Sequence, residues 1–506
     1  MNYSLIKTFG ELKKSGYKTR MLKTELRENL IASLKDRRNV FEGIQGYDDS
    51  VIPHLQSAIL SRHNIIFLGL RGQAKTRLAR LMVNLLDEYI PVVAGSEMND
   101  DPFAPISRFA LDTLREMGDE TRIGWLHRDE RYAEKLATPD VSVADLIGDV
   151  DPIKAASLKL PYSDERVIHY GIIPRSHRCI FVINELPDLQ ARIQVSLFNI
   201  LQEGDIQIRG FKMRLPLDIE FVFTANPEDY TNRGSIVTPL KDRIDSQILT
   251  HYPKSISTAR KITEQEAEIS AAQSESIMIP SLMRDLIEHI AMEARASDYV
   301  DKKSGVSTRL TISALENLYS TIERRMLTNN ESKGNARVSD IYGILPSITG
   351  KVELVYEGEV EGMAGVATLL IGKAIRKMFS EIFPNPEKTK KSKTSREGRD
   401  KPSPYAEIVN WFNEGNTVDI LQNCSIPDYE KQLLAVTGLQ ELVKSFFPKS
   451  PKQEQLFMME FSLHGLSEFS QLSKHKLETG IQFKDLLGSM MNLGSSEEDG
   501  DESQFN

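Results

Sequence analysis

The stretch NIIFLGLRGQAKTRLARLM sets Gly69, Gly72, Gln73, Ala74, Lys75, Thr76 and Arg77 between an apolar run and an amphipathic one. Glycines let backbone N–H groups turn toward the oxygens of an anion, and a helix N-terminus adds partial positive charge. Lys75 can neutralise β/γ-phosphate oxygens, and the Thr76 hydroxyl can ligate magnesium. Ala74 stands where the GxxxxGK[ST] spelling has glycine; as the smallest residue with a Cβ it is expected to fit with a negative φ. A turn of this kind can also bind nothing, so the neighbouring chemistry matters. In CIFVINELPDL, five apolar residues run into Asn184-Glu185. Glu185 can polarise an attacking water. Asn184 can reach a metal only through a water and brings no negative charge, so metal affinity should be reduced but not abolished.

A further strand end, an arginine-bearing segment and a helix start follow in order. DIEFVFTAN closes on Asn226, an amide able to orient water. PLKDRID carries Arg243, placed to reach a neighbouring subunit's γ-phosphate, and in GVSTRLTISALENL Arg309 opens a helical pattern and can bend back over a nucleotide. Catalysis is therefore assigned to Glu185, Asn226, Arg243 and Arg309.

These residues need elements to hold them. From Phe41 to about residue 253, short apolar runs such as IIFLG, CIFVIN and IEFVFTAN alternate with helical segments, the rhythm of a parallel sheet covered by helices. Residues 1–40 have leucines at helical spacing, and residues 254–384 are helical throughout. Residues 385–404 combine charge with Pro and Gly as a basic flexible linker (Lys388, Lys390, Lys391, Lys393, Arg396, Arg399, Lys401). A helical domain over 405–490 precedes an acidic, disordered tail, 491–506. The chain is expected to lie in the cytoplasm, since MNYSLIKTFGELKKSGYKTR has no apolar signal core. No apolar run approaches the roughly 18 to 20 residues of a bilayer span. A net charge of -9 argues against general affinity for nucleic acid. Cys179 and Cys424 are too far apart in sequence for a CxxC pair, and the histidines show no HExxH spacing.

On these motifs the chain resembles the AAA+ ATPases of the magnesium-chelatase I-subunit and MoxR group, over about residues 41 to 325. The match is closest from EKLATPDVSVADLIGDVDP through ERVIHYGIIPRSHRCIFVINELPDLQARIQVSLFNILQEGDIQIRG to TANPEDYTNRGSIVTPLKDRID. The resemblance implies an α/β fold, a P-loop NTPase core with an α-helical lid, beside the additional C-terminal helical region. It implies ATP and Mg2+ as cofactors, with Lys75 and Thr76 as the Walker A pair, Asn184 and Glu185 as the Walker B pair, Asn226 as sensor 1, Arg243 as arginine finger and Arg309 as sensor 2. It further implies a homo-oligomeric, hexameric ring, a separate von Willebrand A domain protein as partner, and two insertions. One lies near residues 149 to 172. The other is a hairpin at DIQIRGFKMRL, whose Arg209, Lys212 and Arg214 either line a pore or merely charge a solvated edge. The function expected is slow ATP hydrolysis that remodels a partner or assists its maturation or metal loading. A nucleotide-gated scaffold and a magnesium-chelatase-type subunit stand as alternatives.

Overall fold

The computed structural model describes residues 6–208, 211, 214–227, 235–387 and 403–486. Arg209 and Lys212, the linker's basic residues and the acidic tail lie outside the described residues. The chain forms two compact units, Met1–Tyr252 and Pro253–Asn506.

In the first unit, helix α1 (Leu22–Lys35) precedes strand β1 (Ile65–Leu68) and helix α2 (Lys75–Leu81). Strands β2 (Tyr132–Leu136), β3 (Cys179–Asn184), β4 (Ile219–Ala225) and β5 (Ser246–Leu249) follow. They make one sheet in the order β5-β1-β4-β3-β2, with every neighbouring pair parallel. The strands read as continuous apolar runs because both faces are covered. All seven residues of β4 are buried. Side chains alternate between two cores, as strand geometry dictates. Ile66, Phe181, Ile183, Phe221 and Phe223 pack on one face with Leu186, Ile193 and Leu197. Ile65, Phe67, Ile180, Val182 and Val222 pack on the other with Leu78, Ala79 and the Leu22, Leu26 and Leu30 stripe of α1.

Residues 1–40, expected as a segment ahead of the core, thus supply part of it. The join is also ionic. The Arg131 guanidinium, 1% exposed, donates to both Glu25 oxygens at 2.7 Å and through Nε to the Arg178 carbonyl at 3.0 Å. Both expected insertions form antiparallel pairs. Gly148–Val150 lies against Ile168–Tyr170, with a short helix between them, and Asp205–Gln207 lies against Arg214–Pro216. Arg214 pairs with Asp205 at 3.3 Å across its own hairpin.

The second unit contains helices α3 (Ser281–Ala296), α4 (Arg309–Asn329) and α5 (Met363–Ile382), then strand β6 (Val418–Leu421), helix α6 (Lys452–Glu468) and strands β7 (Ser473–Leu477) and β8 (Gly480–Lys484). One apolar cluster runs from Ile277 to Phe483, so the stretches expected as lid and as C-terminal domain share a core. The C-terminal region is helical with one addition, a three-stranded antiparallel sheet in the order β6-β8-β7. Glu460 on α6 is fully buried, yet accepts from the Val338 and Ser339 N–H groups at 2.7 and 2.8 Å and from the Tyr429 hydroxyl at 2.7 Å. Among the described residues no helix is long and apolar enough to cross a membrane.

Glu220, the second residue of β4 and 2% exposed, is raised by burial to about 8; Lys23, whose Nζ lies 3.8 Å away, pulls the other way, and Asp245 and Asp218 add to the rise. Between the ordinary carboxylate range and pH 8 the folded state therefore binds a proton that the unfolded state lacks. That contribution to stability is complete below about pH 4.5 and is lost as pH rises toward 8, with a slope of up to about 1.4 kcal/mol per pH unit. Urea midpoints measured from pH 5 to 8 should fall along this slope, and Glu220→Gln should flatten it.

Candidate functional site

Parallel pairing sets Leu68 beside Ala225 and Ile183 beside Phe223, so β1, β3 and β4 release their chains along one edge of the sheet. The loop from Gly69 to Ala74 leaves β1 there and enters α2 at Lys75. The Gly69 N–H donates to the Ala225 carbonyl at 3.2 Å. A Cβ at position 69 would collide with the Thr250 hydroxyl and the Gln73 amide oxygen, so this glycine is required by close approach. Gly72 is required by its φ of +75°.

Ala74 departs from expectation. Its φ is 55° and its ψ 21°, in the left-handed region rather than at negative φ. Size was the right criterion for the space and the wrong one for the backbone, because the turn into α2 sets the handedness whatever residue stands there. The local cost is about 1–2 kcal/mol for an L-residue.

The loop is braced from beneath. The Tyr47 hydroxyl lies 3.0 Å from the Gln73 carbonyl and 2.8 Å from that of His251, and burial pushes this phenol up to about 12. The Tyr252 hydroxyl donates to the Arg71 carbonyl at 3.0 Å. Gln73 turns its side chain into this frame, accepting from the Thr250 hydroxyl at 2.7 Å. Arg77 is exposed on α2.

Five of the residues expected to do chemistry are joined by hydrogen bonds. The Lys75 ammonium, 7% exposed, donates to the carbonyls of Gly69 and Leu70, the latter at 3.1 Å, and to Asn226 Oδ1 at 2.8 Å. Asn226 Nδ2 donates to Glu185 Oε2 at 3.3 Å. A neutral amide thus links the cation to the carboxylate. The Thr76 hydroxyl donates to Asn184 Oδ1 at 3.2 Å, and the Thr224 hydroxyl donates to the same oxygen at 3.2 Å. Thr224 was not singled out in the sequence; its signal was a hydroxyl in the apolar run from Phe221 to Ala225, two residues before Asn226.

The two arginines are described by other contacts. Arg243 donates to Gln202 Oε1 at 3.0 Å and to the Pro239 carbonyl at 2.8 Å, and its guanidinium lies 4.9 Å from the Phe198 ring centroid. Arg309 belongs to the second unit, where it is exposed at the start of α4 and its N–H donates to Ser307 Oγ at 3.1 Å. Among the described residues, no group of three or more His, Cys, Asp or Glu side chains could hold a metal ion.

No family model matches the chain. Solved structures similar to it include NtrX from Brucella abortus, at 13% identity and a TM-score of 0.30, over 61% of this chain and 54% of that one. The chain thus spans about half the length of NtrX. A complex of the BchI and BchD subunits of magnesium chelatase is similar at 17% identity and a TM-score of 0.32, over 63% of this chain and 98% of that one. A RuvB variant from Thermotoga maritima is similar at 13% identity and a TM-score of 0.31, over 68% and 79%. At these values the likeness carries no argument about function.

The left-handed alanine yields a direct expectation. Ala74→Gly should relieve the backbone cost and raise stability by about 1 kcal/mol, net of glycine's greater freedom in the unfolded chain. An upward shift of the denaturant midpoint at unchanged slope checks it.

Proposed function

We propose that this chain binds ATP at Gly69–Thr76 and hydrolyses it slowly, and that a ring of copies uses the cycle to remodel a partner protein or assist its maturation or metal loading. The single observation that carries this reading is the bond from Thr76 to Asn184. An amide at position 184 keeps the acceptor oxygen that directs the threonine hydroxyl's proton away, leaving its lone pairs free for a cation. What the amide gives up is charge, not geometry.

The oxygen donors present fit Mg2+, which takes oxygen ligands, keeps several waters and completes its sphere with substrate phosphates. Thr76 would bind it directly and Asn184 through water; bound, the ion would neutralise charge on the phosphates. Lys75 is the fixed positive charge for the β and γ oxygens. Its present acceptors, two carbonyls and the Asn226 amide, are replaced at little cost by phosphate oxygens. Glu185 accepts the proton of the attacking water, and Asn226 holds that carboxylate in orientation.

Gly72 and the N–H groups entering α2 supply further donors to phosphate. Arg243 is proposed to meet the nucleotide of an adjoining copy in a hexameric ring, and Arg309 to act over the nucleotide from the helical unit. A von Willebrand A domain protein is the proposed partner, and the cytoplasm the proposed location. Asn184 also favours a second reading, a nucleotide-gated scaffold with little turnover, because the metal site lacks one negative charge.

Steady-state hydrolysis of magnesium-ATP by wild type and Glu185→Gln separates the two. A wild-type rate lowered roughly 100-fold or more by the substitution supports the enzyme, in line with the loss of a general base. Equal rates, with ATP binding intact by calorimetry, leave the scaffold. Asn184→Asp should raise turnover and tighten magnesium dependence, by about tenfold for the restored charge. Absence of any heat from adenine nucleotides with native wild-type protein would overturn both readings.

A further inference from the structure

At the carboxyl end of β3 the chain leaves the sheet abruptly. The last parallel pair with β4 is Ile183 with Phe223 and the last with β2 is Asn184 with Leu136, and at the next residue Glu185 lies in the left-handed region, with a φ of 54° and a ψ of 51°. This conformation is costly for an L-residue carrying a long side chain and persists only when its surroundings enforce it. The group that takes over where the ladder stops is a side chain. Thr224, 1% exposed on β4, accepts the Glu185 N–H on its hydroxyl at 3.1 Å and donates the hydroxyl proton to Asn184 Oδ1 at 3.2 Å.

One buried hydroxyl therefore has both its functions in use on two consecutive residues, the last of the neighbouring strand and the one that follows it. Asn184 Oδ1 accepts from Thr76 as well, so a continuous path runs from the helix that follows the phosphate loop to the backbone of Glu185. A β-branched residue that merely filled space at this position would be valine, which has the shape and neither function.

We propose that Thr224 is a positioning residue for the ATPase site. It fixes the backbone turn that aims the Glu185 carboxylate, and it anchors the Asn184 amide so that its oxygen faces Thr76. The inference rests on the nucleotide reading given above, and goes beyond it by assigning the geometry of both residues to a third that touches neither metal nor phosphate. A neutral amide is held less firmly by Thr76 alone than a carboxylate would be, because its hydrogen bond lacks charge assistance. The anchor from Thr224 matters more here for that reason.

The test compares wild type, Thr224→Val, Thr224→Ala and Thr224→Ser in the full chain. Steady-state turnover of magnesium-ATP is measured together with calorimetric ADP affinity in magnesium and in EDTA. The valine variant is expected to lose roughly 10- to 100-fold in kcat with KM changed by less than about threefold, the range seen when a supporting hydrogen bond is removed from a site. Serine should restore kcat to within about threefold of wild type, and alanine serves if valine does not fold.

The ratio of ADP affinity in magnesium to that in EDTA should fall about tenfold in the valine variant and recover with serine. This second readout decides the matter even if wild type binds nucleotide without turning it over. Wild-type kcat in the valine variant, or an unchanged magnesium-to-EDTA ratio where there is no turnover, overturns the proposal. Equal losses in valine and serine variants also overturn it, since they reflect packing. Wild type that binds no nucleotide overturns the preceding functional reading, and this one with it.

Discussion

Every feature of the candidate site depends on the parallel pairing of five strands in the order β5-β1-β4-β3-β2. In such a sheet all the carboxyl ends lie on one edge, where ligands bind in open α/β folds. That edge gathers the start of the Gly69 loop, Asn184 with Glu185, and Thr224 through Asn226, although they come from distant parts of the chain. The register is held by burial on both faces. A slip of one residue would carry Phe221 and Phe223 into the core that now takes Val222, and would bring Val222 into the one they fill.

At the edge the rule changes from filling space to satisfying polar groups. Asn226 engages both Lys75 and Glu185, which are opposite in charge. An amide can do this because it offers an acceptor to the ammonium and a donor to the carboxylate at once. Asn184 works differently, using one oxygen for two hydroxyls. In a partly buried setting such a network stiffens the residues it connects, and each member left without its partner would carry a desolvation cost.

The parts legible in the sequence were those written in local patterns. The glycine-containing loop, the apolar strand runs and the hairpin at 205–216 all follow from residue types within short windows, and they stand where expected. What escaped was set by partners distant in sequence or by backbone handedness. Ala74 reads as a small residue, and nothing in its neighbours reports a φ of 55°. Gln73 reads as a loop amide until Thr250 takes its oxygen, and Thr224 reads as a β-branched filler until its hydroxyl is seen between Asn184 and Glu185. The sheet of β6, β7 and β8 was hidden because SKHKL is too polar to show an apolar alternation, and because its face packs on a core assembled from Ile277 onward.

The pair formed by Glu25 and Arg131 bears on how the protein can be dissected. A recombinant fragment starting near residue 41 would keep every motif of the candidate site while stripping the acidic counterpart from a guanidinium deep in the first unit. Removing one member of a buried pair costs several kcal/mol, because the other is left uncompensated in a poorly polarisable interior. The leading helix also closes an apolar face of the sheet with Leu22, Leu26 and Leu30. A minimal module cut by motif alone would thus begin too late, and its insolubility would say nothing about its chemistry.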